Sequence, residues 1–154
     1  MPENERLSPQ DIARTVGETM YRKDIAAQHL GIALKDISPG RAIMTMRVAD
    51  FMLNGHKICH GGYVFTLADT AFAYACNAYN QNTVAQGAQI SFLKAIKPDT
   101  LLTASAIEKS RTGRTGLYDI TVHDEDGQTV ALFRGNSHTI KGQMIPGLTQ
   151  KEEK

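Results

Sequence analysis

The second half of the chain contains four segments in which hydrophobic and polar residues tend to alternate, a period typical of β-strands. Three short breaks, KPD, RTGR and DEDG, separate these segments. Because such short breaks join antiparallel neighbours, each strand is predicted to pair with the next one along the chain. The four segments are TVAQGAQISFLKAI, TLLTASAIEKS, RTGLYDITVHDE and QTVALFRGNSHTI.

The pattern before residue 50 predicts two helices followed by a β-hairpin. A helix is predicted from Ser8 to about Met20, because Ser8 fits an N-cap, Pro9 fits the first helical turn and Asp11 fits a capping acid. KDIAAQHLG predicts a second, short helix that ends at Gly31. IALKDIS and RAIMTMRV are extended segments on either side of a Pro-Gly pair, which predicts the hairpin.

Between these two halves, residues 63–76 are apolar nearly all round, apart from Asp69. A helix of this kind must be buried, and one antiparallel sheet of about six strands is able to wrap it. The predicted fold class is therefore α+β, with a six-stranded antiparallel sheet around one long central helix and an additional N-terminal helix. The pattern alone also permits other α+β arrangements.

Composition narrows the class of protein. A chain of 154 residues with 42% hydrophobic content is long enough for one domain with a proper core. A net charge of +1 gives no general attraction to nucleic acid or to a membrane surface. Cys59 and Cys76 are too few for a disulfide scaffold, and the first residues lack the features of a signal peptide. These features predict free thiols and a cytoplasmic protein.

The candidate chemistry lies at the start of the central helix. Gly61 and Gly62 follow His60 where the loop becomes the helix, and a helix start presents free backbone N–H groups and a positive dipole end. Such a place favours the oxyanion that develops on a thioester or ester carbonyl under attack. Taken alone, His-Gly-Gly is a weak signal, and a tight turn is its more common structure.

Asp69 is a lone carboxylate in the apolar segment, eight residues beyond Gly61. Eight residues of helix span about 12 Å, so one carbonyl group is unable to contact both residues of the same helix. If the two act together, they come from two antiparallel copies of the helix, which predicts a homodimer with two equivalent sites. The alternative is a structural carboxylate paired locally with Thr66 or Thr70.

The stretch LNGHKICHGGYVFTLADTAFAYACNAYN resembles the signature of hotdog-fold acyl-CoA thioesterases, in particular the PaaI-like group associated with phenylacetic acid degradation. The resemblance extends to ISFLKAIKPDTLLTASA and TGLYDITVHDEDGQTVALFRGNSH, and so covers most of the chain after about residue 30. Its most specific part is the spacing from Asn54 to His60 to Asp69.

This resemblance implies a hotdog fold and the hydrolysis of an acyl-CoA, with phenylacetyl-CoA or a hydroxylated form as the favoured substrate. The backbone N–H of Gly61 would polarise the carbonyl, and Asp69 of the neighbouring subunit would act as nucleophile or general base. Asn54 and His60 would position the carbonyl, the water or the loop. The resemblance further implies dimers that join edge to edge, homotetramers, and no metal or cofactor apart from the CoA of the substrate.

Residues that hold the substrate are also expected from the resemblance. In some relatives a serine or threonine early in the strand after the helix helps to hold the attacking water. This chain has Val-Ala-Gln-Gly at 84–87, so Gln86 is the candidate to replace it. Gly62 would let the substrate approach the backbone closely. Arg111 and Arg114 are the first candidates for the CoA phosphates, and Lys94 and Arg134 rank behind them.

Three other functions compete with this interpretation. His56, Cys59 and His60 with Asp69 are all metal-ligand types, but their spacing matches no regular metal motif. A non-catalytic acyl-CoA binding module would make Asp69 structural. A hotdog hydratase or dehydratase would need an Asp-His pair, and the helix carries no histidine after Asp69.

The predicted domain organisation has an N-terminal helical segment at 1–30, the hotdog domain at 31–142 and a C-terminal tail at 143–154. The charged end TQKEEK is predicted to fray.

Overall fold

The computed structural model describes residues 6–148. Two helices come first, then a hairpin, a short 3-10 turn at Asp50–Met52, the long helix and four further strands. The helices are α1 (Pro9–Lys23), α2 (Ile25–His29) and α3 (Gly61–Asn77). The strands are β1 (Ala33–Ser38), β2 (Arg41–Arg47), β3 (Thr83–Phe92), β4 (Leu101–Thr112), β5 (Thr115–His123) and β6 (Thr129–Thr139).

The N-terminal half forms as predicted, with its turn chemistry visible in the structure. The Ser8 hydroxyl accepts a hydrogen bond from the backbone N–H of Asp11 at 3.1 Å, with Pro9 as the first helical residue. The helix continues past Met20 to Lys23. Gly31, at φ +68°, follows the end of α2 in the left-handed conformation that glycine adopts without strain.

The six strands form one antiparallel sheet in the order β1-β2-β4-β5-β6-β3. The hairpins β1–β2, β4–β5 and β5–β6 are confirmed. The predicted pairing of β3 with β4 is wrong, because β3 pairs with β6 and lies at the edge of the sheet. Residues 93–100 instead carry the chain past the start of α3, where the backbone N–H of Cys59 donates to Ile96 O.

Helix α3 is buried against the inner face of the sheet, as its apolar composition predicts. Leu67, Phe72 and Tyr74 are almost completely buried, and the Phe72 ring packs against Tyr118 of β5 at a centroid distance of 5.5 Å. The face that carries Gly62, Thr66 and Asp69 is only partly covered. One stripe of the central helix therefore stays accessible within a single chain.

The two ends of the described chain pack on this body. The Tyr74 hydroxyl donates to a carboxylate oxygen of Asp24 at 3.0 Å, and this contact ties α3 to the start of α2. The Asn80 side chain exchanges two hydrogen bonds with the backbone of Ile145, in the first part of the predicted tail. The predicted frayed end TQKEEK lies outside the described residues. Within residues 6–148, no helix has the length and apolar character needed to cross a membrane.

Candidate active site

The start of α3 is held by the side chain of His60. Its Nδ1 atom accepts the backbone N–H of Gly62 at 2.9 Å, so His60 is the N-cap of the helix. The His60 backbone N–H donates to Met52 O at 2.7 Å, which fixes the cap against the 3-10 turn. An Nδ1 acceptor requires the neutral imidazole with its proton on Nε2. Of the two glycine N–H groups, Gly62's is used by the cap.

The Gly61 N–H has no hydrogen-bond acceptor among the residues that the structure describes. It lies at the first position of α3, where the partial positive charge of the helix dipole is concentrated. A free donor at such a position is suited to a carbonyl oxygen that becomes negative during a reaction.

Asn54 lies beside this donor, and its amide orientation is set by its own loop. The side-chain oxygen accepts the N–H of His56 at 2.9 Å and, more weakly, that of Ile58 at 3.4 Å. Since the oxygen is occupied, the Nδ2 group is available as a donor, and it has no partner within residues 6–148. Asn54 and Gly61 line the same groove of about 450 Å³.

Asp69 is a half-buried carboxylate at the middle of α3. The hydroxyls predicted as its local partners donate elsewhere: Thr66 to Gly62 O at 2.9 Å, and Thr70 to Thr66 O at 2.6 Å. Burial raises the pKa of the Asp69 carboxyl above its ordinary value of 3.8. Burial of Cys76 raises the pKa of its thiol to about 12, and the negative charge of Asp69 contributes to this rise. Asp69 does not line the groove of Gly61.

Lys94 also lines the groove, at the side where β3 ends. Its ammonium group is paired with Asp124 at 3.4 Å and with the side-chain oxygen of Gln128. Since the charge is partly neutralised in this way, Lys94 is a weaker phosphate ligand than a free lysine. Arg134 is similarly occupied by a bidentate pair with Asp119, at 2.6 and 2.8 Å.

The two arginines predicted to bind phosphate lie near the C-terminal end of α3, at the opposite end of the helix from Gly61. Arg111 is stacked on the Tyr79 ring, 3.7 Å from its centroid, and donates to the Gln81 side chain at 3.3 Å. Arg114 is exposed in the β4–β5 turn. Neither forms an ion pair within the described part of the chain.

The distance between the two ends follows from strand β3. Phe92 marks the end of β3 that lies beside Gly61. Val84 marks the end near the arginines, because it pairs with His138 of β6, and His138 pairs with Thr115, the residue after Arg114. Eight residues of strand span about 26 Å. Gln86 is exposed between these ends, where the β3–β6 register shifts between Ala85 and Gly87.

The residues of the competing functions do not converge. Cys59 is buried while its neighbour His60 is exposed, and burial raises the pKa of the Cys59 thiol to about 11. A thiol with so high a pKa is a poor nucleophile at neutral pH. Within residues 6–148, no three His, Cys, Asp or Glu side chains are grouped as metal ligands.

Comparison with known proteins decides the family. Residues 56–131 match the Thioesterase superfamily. Over 123 residues the chain is 47% identical to the acyl-coenzyme A thioesterase PaaI of Escherichia coli (strain K12), covering 80% of this chain and 88% of that one. This protein belongs to the thioesterase superfamily.

Solved structures agree with this assignment. The E. coli PaaI protein, from the phenylacetic acid degradation operon, superposes with a TM-score of 0.87 at 44% identity, over 88% of this chain and 99% of that one. A Streptococcus mutans UA159 protein solved with acetyl CoA bound has a TM-score of 0.70 at 25% identity, over 73% and 90% of the two chains. The sheet around α3 is thus the hotdog fold that the resemblance implied.

In this thioesterase the sequence pattern groups Phe92 with four other aromatic residues as mostly core, one or two of them lining an acyl pocket, and does not single it out as a neighbour of Gly61. Phe92 ends β3, and its ring lies directly on the first turn of α3. The signal available in the sequence was that Ile90 and Phe92 are two positions apart in a strand and so lie on one face of it. Only the observed position of β3 beside the helix start turns that alternation into a contact with the site.

Proposed function

We propose that this protein is an acyl-CoA thioesterase that uses water to convert an acyl-CoA into a free acid and CoA. The observation that carries the proposal is the Gly61 N–H at the positive end of α3, which has no acceptor within residues 6–148 and lines one groove with the Asn54 amide, in a chain 47% identical to a named acyl-CoA thioesterase. Both donors would bind the thioester oxygen, and their hydrogen bonds would strengthen as negative charge develops there.

Asp69 of a second subunit acts as the general base on the attacking water, or as the nucleophile itself. Within one helix Gly61 and Asp69 are about 12 Å apart, too far to act on one carbonyl group. Asp69 lies on the partly covered face of α3, and no Lys, Arg or His within residues 6–148 forms an ion pair with it. A carboxylate that is half-buried and unpaired is well suited to activate water, since burial raises its affinity for a proton.

Strand β3 is the edge through which two copies would join. Most of its residues are exposed, including Val84, and its outer backbone groups face no other strand of the described chain. A long edge strand with apolar residues is a template for pairing with another strand. For Gly61 of one subunit to lie level with Asp69 of the other, the twofold axis must lie level with Phe65, midway between them.

The chemistry then needs no metal or prosthetic group. The Asp69 carboxylate of one subunit takes a proton from water, and the water oxygen attacks the carbonyl carbon held at Gly61 of the other subunit. The oxyanion collapses, the carbon–sulfur bond breaks, and CoA leaves as a thiolate that takes up a proton. Direct attack by Asp69, followed by hydrolysis of the anhydride, gives the same products.

The same twofold brings towards the site the two arginines that form no ion pair in the described part of the chain, Arg111 and Arg114. Helix α3 is about 24 Å long from Gly61 to Asn77, so the C-terminal end of the partner's α3 extends about 12 Å beyond Gly61. Arg111 and Arg114 lie at that end of each chain. We therefore assign the CoA phosphates to the subunit that also supplies Asp69, with the pantetheine arm spanning the gap. Two such dimers would form the homotetramer.

For the acyl group we propose phenylacetyl or a hydroxylated phenylacetyl group. The support is the likeness to the E. coli PaaI protein from the phenylacetic acid degradation operon. The apolar groove beside Gly61 is consistent with an acyl group of this kind.

The first test is the release of free thiol from aromatic and straight-chain acyl-CoAs by wild type and by Asp69→Asn. Turnover is expected to fall by orders of magnitude in Asp69→Asn, while Asp36→Asn, a change at an exposed carboxylate on β1, is expected to match wild type. Equal turnover by Asp69→Asn and wild type would exclude Asp69 from the chemistry.

A mixing experiment tests the shared site. When Asn54→Ala and Asp69→Asn chains are co-expressed, half of the dimers are mixed, and each mixed dimer has one intact site. The mixture is expected to recover about a quarter of wild-type activity, although each variant alone is inactive. No recovery, with mixed dimers shown to be present, would mean that both residues act within one chain.

A further inference from the structure

The ring of Phe92 lies against the residue that holds the proposed carbonyl site. A Cβ atom built on Gly61 would be 2.9 Å from Phe92 Cζ, closer than real Cβ atoms come to a neighbour, and 3.1 Å from Cε1, tighter than most real Cβ contacts. The ring therefore packs on the Gly61 backbone itself. Even so, Phe92 is 55% exposed, so much of its surface is not covered by its own chain.

The uncovered part of this ring forms a wall of the groove beside Gly61. Cys59, Val64 and Ile96 are buried residues of the lining, and Leu93 is as exposed as Phe92. The groove measures about 450 Å³, within the usual range for small-molecule sites of about 300–1,000 Å³. Its long polar side chains are Asn54 and Lys94, and the Lys94 ammonium is already paired with Asp124.

We propose that Phe92 determines acyl specificity by stacking on the acyl group of the substrate. This inference rests on the proposed function. A carbonyl oxygen that accepts the Gly61 N–H brings the carbonyl carbon, and with it the acyl group, to the first turn of α3, where this ring lies. The contact is then ring against ring when the acyl group is aromatic. The predicted substrate class is a thioester whose acyl group carries an aromatic ring close to the carbonyl carbon.

The decisive comparison uses phenylacetyl-CoA and cyclohexylacetyl-CoA, two esters of similar shape of which only the first has an aromatic ring. From the usual free energy of an aromatic pair, wild type is expected to prefer the phenylacetyl ester by about 2- to 12-fold in kcat/KM. Phe92→Leu is expected to bring this ratio to about 1, mainly by slowing the phenylacetyl ester. Phe92→Tyr keeps the ring and is expected to keep the preference.

Phe51→Leu is the matched control. Phe51 is exposed to a similar extent, at 57%, and packs edge-on against Tyr63, but it lines a different groove. The variant is expected to keep the wild-type ratio. An unchanged ratio in Phe92→Leu, or equal losses for both esters, would overturn the inference. Equal losses would mean that the ring only supports the Gly61 backbone.

Binding separates this inference from the proposed reaction. If wild type hydrolyses neither ester, the proposed function fails, and the affinities of the two esters for Asp69→Asn then test Phe92 without turnover. Tighter binding of the phenylacetyl ester, lost when Phe92→Leu is added, would support the assignment of the ring. Equal affinities for the two esters would reject it.

Discussion

Replacing His60 by alanine is expected to destabilise the protein, because it removes the side-chain cap of the central helix. The Nδ1 atom of His60 accepts the Gly62 N–H at 2.9 Å. Loss of an N-cap acceptor typically costs about 0.5–2 kcal/mol, and we expect about 1 kcal/mol here since His60 is exposed. In a chain of this length, 1 kcal/mol lowers Tm by about 2–4 °C.

The local sequence makes α3 dependent on this cap. Its first two residues are glycines, which lose more conformational freedom on entering a helix than any other residue. The turns that follow carry Val64 and Leu67, both almost fully buried, so fraying of the helix start would disturb core packing. The cap thus stabilises a segment with weak intrinsic helix propensity and strong tertiary contacts.

Chemical denaturation and thermal unfolding at one fixed protein concentration measure the effect, since dimer formation would make the apparent stability concentration-dependent. His60→Asn is the matched control, because asparagine is among the best N-caps and retains an acceptor for the Gly62 N–H. We expect His60→Asn to lie within a few tenths of a kcal/mol of wild type. Equal stability of His60→Ala and His60→Asn would refute the capping argument. Loss of turnover in a stable His60→Asn would instead assign the Nε2–H of His60 to the reaction.

Two further predictions concern charge. Burial raises the pKa of Asp69 above its ordinary value of 3.8, so kcat/KM is expected to rise with pH as this carboxyl loses its proton, and a profile without such a rise would contradict a role as base. Stability is expected to change in the opposite direction. The folded state favours the protonated carboxyl, and this contribution is lost as pH rises through the raised pKa, so Asp69→Asn should be at least as stable as wild type at neutral pH. Arg114→Ala is expected to raise KM for acyl-CoA several-fold and to leave an acyl-pantetheine thioester, which lacks the nucleotide, unchanged. Equal effects on both thioesters would remove Arg114 from the phosphate site.

Much of this protein was determined by local sequence. The alternation of side chains, the Pro-Gly and Asp-Gly turns and the Ser8 cap specify the strands, the hairpins and the start of α1, because each depends on residues only a few positions apart. The apolar segment interrupted by Asp69 likewise identified the buried helix and its unusual carboxylate. Family-specific spacing added the hotdog fold, which comparison confirmed.

Tertiary structure alone decided how these elements are arranged around the site. The short break between them predicted that β3 pairs with β4, yet β3 pairs with β6. The whole sheet is needed to bury α3, and the connection 93–100 is long enough to carry the chain from the edge strand β3 across to β4. That position puts Phe92 on Gly61, and a separate long-range contact pairs Lys94 with Asp124. Such contacts join residues about 30 positions apart. Their geometry depends on the packing of the complete sheet around the helix, which no local pattern of residues encodes.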